Sequence, residues 1–497
     1  MKDSINSYSN ILKSIGIFGG VNIIQIILSL VKNKFVAIIL GPTGMGVNGM
    51  IISTNSFVKA LTSFGLHTSS VREIAKSKGN LNDNKIAITI TVVRYLVFLT
   101  GLLGLVFTFI FAKQLSVLSF GNSEYSIAFR ITSLSLLFDQ LWVGQNALLQ
   151  GTFHYRDMAM AAILGSLIGI IVSIPLYYVW GKDAIAPVIV CCSLITFLSS
   201  WNKARKLHIL RIIPSKKEML VIAKSMLLLG FALSITSIVK TGSTYLLRSY
   251  ISRYGILADL GLYTAGIAIA NQYVDVILQA MGSDYSPRLA SISHDNTMFI
   301  EAINRQMKLL MTIITPLIIL FVLCIKYLIV LLYSDKFLPI VDMVEWIMVG
   351  MFFRAFSWCL SYAIVAKGAS KVIMYNEIAT AGYSLFFSIV GYSVLGFTGL
   401  GIAVCCTYVC YSIHMLIVCK RLFSFTFEKN VLKEIIILTL MIIISITALK
   451  IIGYSIKRYI IGIVLLCIVC AFCAMEFNKM IPIKQLVASI KSRINNN

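Results

Sequence analysis

The sequence predicts an all-α polytopic membrane protein of about 14 transmembrane helices, as two pseudo-symmetric six-helix bundles around a central cavity with two further C-terminal helices. Three observations lead to the membrane class. Hydrophobic residues make up 58% of the chain and charged residues 13%, against about 45–50% and about 25% in a soluble globular domain. The mean hydropathy is +0.88. Apolar runs of spanning length also recur along all 497 residues, with no interval long enough for a soluble domain. A water-soluble chain of this composition would lack the polar groups to cover its surface, which excludes a soluble enzyme and a disordered protein.

Crossing the hydrocarbon core takes about 20 mostly apolar residues. Fourteen runs qualify: 15–40, 44–66, 86–112, 124–150, 158–180, 184–202, 220–246, 257–282, 309–333, 340–366, 372–394, 399–419, 435–452 and 459–477. The first follows Lys2 and Lys13; it is too long for a signal-peptide core and lacks a small-residue cleavage site, so it reads as a retained span. Gly41-Pro42 breaks the first run from the second. Short loops near 113–123, 247–256 and 334–339 part later runs, and none is large enough for a catalytic domain. The basic stretch 203–219 divides an N-terminal bundle (1–202, six helices) from a C-terminal bundle (220–420, six helices). Residues 421–497 hold the last two helices and a basic tail.

The net charge is +23, from 43 Lys plus Arg and 20 Asp plus Glu. A basic chain suggests nucleic acid; in a membrane protein cations orient the helices instead. With the N-terminus inside, 27 cations fall on the cytoplasmic side, four of them in the loop 67–85, and nine on the other, Arg458 among them. That asymmetry predicts both termini in the cytoplasm and an even helix count, and leaves no reason to invoke nucleic acid.

The seven cations assigned to neither side lie within spans: Lys32, Lys34, Lys59, Arg94, Arg130, Lys240 and Arg354. Each costs about 2.5–3.5 kcal/mol at mid-helix unless it snorkels or faces a wet cavity. Arg94 and Arg130 lie near helix ends and read as snorkelling. Others sit on polar stripes at helical spacing. These are Asn22, Gln25, Ser29 and Lys32 in the first span; Asn48, Asn55, Lys59 and Thr62 in the second; and Ser135, Asp139, Asn146 and Gln150 in the fourth. The seventh has Ser234, Ser237, Thr241, Thr244 and Arg248, with Lys240 beside them. The eighth has Asn271, Asp275 and Gln279, and the tenth Gly350, Arg354, Ser357 and Ser361. The second set of helices is the first set shifted by six, as an internal repeat facing one cavity would give. Hydrogen-bonded glue between helices accounts for Ser and Thr. It accounts less well for Lys and Arg, because Asp139, Asp275 and Glu345 are the few acids available over these helices. A cationic cavity suits an anionic cargo, phosphate above all.

All eleven Cys lie in apolar runs. Cys467, Cys470 and Cys473 have C-x-x-C spacing, but no His joins them and the five His are scattered, so neither a metal nor a cofactor is expected.

Several segments carry a family likeness. They are Lys34-Phe-Val-Ala-Ile-Ile-Leu-Gly-Pro-Thr-Gly-Met-Gly46 after the first span, LLQGTFHYRDMAMAAILGSLIG (148–169), TGSTYLLRSYIS (241–252), DYSPRLASIS (284–293) and DKFLPIVDMVEWIMVG…YAIVAKG (335–368). In order and spacing the chain resembles Wzx-type O-antigen flippases, in the polysaccharide branch of the multidrug/oligosaccharidyl-lipid/polysaccharide exporter superfamily, from about residue 10 to 420. The resemblance implies a MATE-like fold that alternates between inward and outward openings in the cytoplasmic membrane of a bacterium. The implied cargo is an undecaprenyl-pyrophosphate-linked oligosaccharide, handed on to a polymerase and chain-length proteins, with membrane lipids as the other partners. It also implies that Lys32 or Lys34, Lys59, Arg248 and Arg354 line the cavity. Lys32 and Lys34 lie about 200° apart around the helix; the stripe favours the former and the family pattern the latter.

Two other classes compete. A cation-coupled drug exporter of the same fold would use buried carboxylates, for which Asp139 and Asp275 are the candidates. A lipid-linked glycosyltransferase or polymerase would need a long external loop or a D-x-D motif, and neither is present.

Overall fold

The computed structural model describes residues 2–79, 83–207, 212 and 214–480; the side chains of 2–23, 79, 83, 232, 233 and 283 lie outside the described set. Among the described residues there are fourteen α-helices and no strand. They are α1 (Lys2–Thr62), α2 (Leu66–Gly79), α3 (Asp83–Ile110), α4 (Ala112–Phe120), α5 (Ser126–Gly151), α6 (Tyr155–Trp180) and α7 (Ile185–Ala204). Then follow α8 (Lys216–Tyr254), α9 (Leu257–Ser291), α10 (Asn296–Leu332), α11 (Val341–Ala366), α12 (Ser370–Phe423), α13 (Lys429–Ile452) and α14 (Ile456–Met480).

Helices and spans do not correspond one to one. α1 carries the first two spans, joined at Gly41, whose φ of 65° is open to glycine at little cost. α12 carries the eleventh and twelfth, joined the same way at Gly396 (φ 57°). α2 and α4 are too short to span. Among the described residues, eight helical stretches can cross a membrane by length and apolarity, or nine with the bent α8. Three of the eight, Ile24–Thr62, Tyr155–Leu207 and Ser370–Phe423, each contain two helices of spanning length. α5 and α9 are long enough but less apolar, because they carry Asp139, Gln140 and Asn146, and Asn271, Gln272, Asp275 and Gln279. They complete the fourteen expected spans, and their polarity comes from the stripe residues. The protein is a multi-pass membrane protein.

The chain folds into two compact units. One comprises Met1–Ala265 with Leu332–Phe337 and Glu377–Leu385; the other comprises Gly266–Leu331, Leu338–Asn376 and Phe386–Asn497.

In the first unit α5 packs between α3 and α7, and α1 packs along α6 and α8. α2 lies against α5, burying Leu66 and Ile74 beside Ile90, Val93 and Leu149. The segment expected as a basic cytoplasmic loop is therefore largely an amphipathic helix. The Gly-Pro-Thr-Gly-Met-Gly stretch serves close packing as well as the bend. A Cβ on Gly46 would collide with the Leu257 carbonyl oxygen, and one on Gly261 with that of Pro42. α8 opens on a capping box: the Ser215 hydroxyl accepts from the Glu218 amide at 3.3 Å, and the Glu218 carboxylate accepts from the Ser215 amide at 3.1 Å.

In the second unit α10 and α11 form the core, with Phe299, Met307, Ile314 and Val322 of one and Val344, Ile347, Met348 and Leu360 of the other fully buried. The last two helices are fixed to this core by charge. Glu345 of α11 meets Arg458 of α14 at 2.5 Å, each side chain 1% exposed, and accepts from the Tyr454 hydroxyl at 2.8 Å. Lys308 of α10 bridges Glu434 of α13 at 2.8 Å and Glu476 of α14 at 3.1 Å. Two sequence expectations change here. Arg458 was counted among the external loop cations, yet it is sealed in the protein. Glu345, grouped with the cavity acids, is taken up by α14.

Candidate functional site

Two open ion pairs stand where the polar stripes face each other, one in each unit. In the first unit Lys59 of α1 lies 3.5 Å from Asp139 of α5, with the side chains 29% and 35% exposed. One helical turn earlier Asn55 donates to Ser135 at 3.4 Å. Residues 55 and 59 thus face residues 135 and 139 in register, as two side-by-side i, i+4 stripes must. The Lys59 ammonium also sits 5.8 Å from the centre of the Trp142 ring. Beside Asp139, Gln140 donates to Thr100 of α3 at 3.0 Å and fixes this face of α5. The Asn55 side-chain oxygen is buried with no partner among the described residues.

In the second unit Arg354 of α11 lies 2.5 Å from Asp275 of α9, with the side chains 23% and 35% exposed. Its other terminal nitrogen donates to Asn271, one turn before Asp275, at 3.0 Å. The guanidinium is 6.0 Å from the centre of the Tyr408 ring. A planar guanidinium offers its forked N–H groups to two acceptors at once, which an ammonium cannot match.

The expectation that these cations lack carboxylates is overturned at both places. Asp139 and Asp275 were set apart as ion-coupling candidates, and Lys59 and Arg354 as anion ligands. The fold joins them pairwise. The aromatic partners Trp142 and Tyr408 were missed; Trp142 stands one turn after Asp139 on the same face, a signal the stripe spacing contained.

The remaining site residues are dispersed. Arg248 of α8 donates to the Gly49 carbonyl at 2.8 Å, tying α8 to α1, while its Nε is buried without a partner among the described residues. Lys240 is exposed. Lys32 reaches Cys192 of α7, with Nζ 3.8 Å from Sγ. Lys34 and Gln25 are half-buried, and the Asn22 side chain lies outside the described residues. Arg94 and Arg130 are exposed, the latter over the Phe109 ring. Every Cys is free; Cys467 and Cys470 are exposed and Cys473 buried.

A family model described as "Polysaccharide biosynthesis protein" matches residues 35–342, more than half of the chain. This chain belongs to the polysaccharide biosynthesis protein family. The match begins next to Lys34 and ends at the start of α11, so it takes in Lys59, Asp139, Arg248 and Asp275. The Lipid III flippase of Escherichia coli (strain K12) is 22% identical over 398 residues, covering 78% of this chain and 93% of that protein. The Lipid III flippase of Shigella flexneri aligns equally. Among solved structures, the Lipid II flippase MurJ in an inward closed conformation has a TM-score of 0.70 at 16% identity, covering 93% of this chain and 98% of that one. An inward-facing multidrug resistance MATE family transporter of the MOP superfamily also has a TM-score of 0.70 at 16% identity, covering 80% and 94%. Family and fold agree: a polysaccharide biosynthesis protein with a MATE-like fold.

Proposed function

We propose that this protein is a flippase for lipid-linked oligosaccharide, carrying an undecaprenyl-pyrophosphate-linked surface-polysaccharide repeat unit, such as O-antigen, from the cytoplasmic to the outer leaflet. The observation that carries the reading is the alignment with Lipid III flippases over 93% of their length. The chemistry supports it. Lys59 and Arg354 are semi-exposed cations on polar stripes of otherwise apolar helices, suited to oxyanions. Asn55 and Asn271 flank them, with Gln25, Lys32, Lys34, Lys240 and Arg248 as the wider polar lining. Asn22, outside the described residues, completes the set taken from the sequence.

In this reading the bundles 1–202 and 220–420, joined by the 203–219 linker, rock about the cargo, and 421–497 is an addition to the second. Both termini face the cytoplasm of a bacterial inner membrane, as the cation asymmetry favours. The potential assists, since moving one charge across 100 mV is worth about 2.3 kcal/mol. A doubly charged pyrophosphate leaving a negative interior gains about twice that. A polymerase with its chain-length proteins would take the product. The drug-exporter alternative loses ground because Asp139 and Asp275 already hold internal cations, which a coupling ion would have to displace.

The test is reconstitution in proteoliposomes with a labelled polyprenyl-pyrophosphate oligosaccharide. Wild type moves it between leaflets and Lys59→Ala with Arg354→Ala does not; equal movement with and without wild-type protein would refute the reading.

A further inference from the structure

The two open ion pairs are alike in layout and opposite in charge. In the first unit the cation stands on the second span (Lys59) and the acid on the fourth (Asp139). In the second unit the acid stands on the eighth span (Asp275) and the cation on the tenth (Arg354). Each pair has an Asn four residues before the charge on the earlier helix, Asn55 before Lys59 and Asn271 before Asp275. Each cation has an aromatic ring within about 6 Å, Trp142 or Tyr408. A helix offset of six relates the two sets, so the position is duplicated while the signs are exchanged.

Their exposure separates these pairs from the structural one. Glu345–Arg458 is 1% exposed on both sides, whereas the members of the open pairs are 23–35% exposed. A pair that only fastens helices gains most from good geometry and sealing from water. Lys59–Asp139 has neither: it is 3.5 Å long and partly exposed. Such a contact is weak and exchangeable. A carboxylate presents to Lys or Arg the same kind of oxygen edge that a phosphate does.

We propose that Asp139 and Asp275 are built-in occupants of two anion subsites, one centred on Lys59 and one on Arg354, and that oxyanions of the cargo replace them when it binds. The proposal rests on the flippase reading of the same site. A carrier must return empty. With the cavity closed and empty, each bare cation would lie uncovered in the membrane interior, at about 2.5–3.5 kcal/mol each on an insertion scale. The resident carboxylates cover the cations on that return leg. On loading, each cation exchanges one oxyanion for another, so cargo is held loosely enough to leave. The acids thus serve turnover and oppose affinity.

The experiment compares two modes in proteoliposomes of the full-length protein, using a fluorescent polyprenyl-pyrophosphate oligosaccharide. Exchange, with cargo in both leaflets, needs no empty return; net flipping, with cargo in one leaflet, does. Asp139→Asn and Asp275→Asn should each slow net flipping about tenfold or more relative to exchange, and bind the cargo more tightly. Asp139→Glu and Asp275→Glu, which retain the carboxylate, should keep both modes. Equal loss of both modes, unchanged net flipping, or weaker binding overturns the proposal. Asp→Ser variants form a second set with the same expectation. Unfolding of both the Asn and Ser sets would make the pairs structural and overturn it too. Failure of the flippase reading looks different: wild type itself moves the cargo in neither mode.

Discussion

The Arg354 guanidinium touches Asp275 at 2.5 Å while its second arm takes Asn271, four residues earlier on the same helix, at 3.0 Å. That forked contact makes the α9–α11 site specific for a planar cation. Arg354→Lys should fold normally yet cut transport several-fold, because a lysine cannot hold both acceptors in one plane. Arg354→Glu should abolish it, since two carboxylates would then face each other. Leaflet-resolved flux of labelled cargo measures both; full flux in Arg354→Glu removes the anion-subsite account at this position.

The first unit's pair should tolerate reversal. Exchanging the charges in Lys59→Asp with Asp139→Lys gives α1 and α5 the polarity that α9 and α11 already have. The double variant should melt close to wild type and retain transport, while Lys59→Asp alone, with two facing acids, loses it. A double-mutant cycle on melting and flux reads the coupling. Additive losses would show that the two residues do not act together.

The sealed pair should behave as scaffold. Arg458→Ala leaves the buried Glu345, for a cation, only the longer contact to Lys450 at 4.0 Å and should destabilise the protein by about 3 kcal/mol. Replacing both with Met should recover most of that, because desolvation of the pair offsets much of its attraction. Thermal unfolding in detergent checks this. Equal losses for the single and double variants would contradict it.

The crossing of Gly46 and Gly261 predicts intolerance to a methyl group. Gly46→Ala drives a Cβ onto the Leu257 carbonyl and should destabilise by about 1–3 kcal/mol through overpacking. Gly382→Ala, which has open space around the new atom, is the matched control and should be near neutral. Melting curves of the two variants decide, and identical curves would mean that the helices separate at little cost.

Much of this was legible in the sequence because a membrane imposes one strong pattern. Hydropathy located fourteen spans, and Gly41-Pro42 marked the first junction. Stripe spacing identified the faces of α1, α5, α9 and α11 that meet. Pairing was not legible. A stripe gives an azimuth on one helix, while a contact depends on which helix lies opposite and in what register. Lys59 and Asp139 are 80 residues apart, and nothing local links them. Arg458 misled for a related reason: a cation two residues into a helix after a short loop looks external by charge count, and only the position of Glu345 draws it inward. Glu434 and Glu476 gave a signal that went unused, as lone carboxylates at the ends of apolar runs that need a cation such as Lys308.

The most direct test of the central claim is the leaflet in which lipid-linked oligosaccharide accumulates when the protein is depleted from its host. A membrane-impermeant glycan-binding protein applied to spheroplasts reads it. The flippase account predicts accumulation of oligosaccharide that the probe cannot reach, restored to access by wild type and not by Lys59→Ala with Arg354→Ala. Full access in depleted cells, or no accumulation at all, would contradict it.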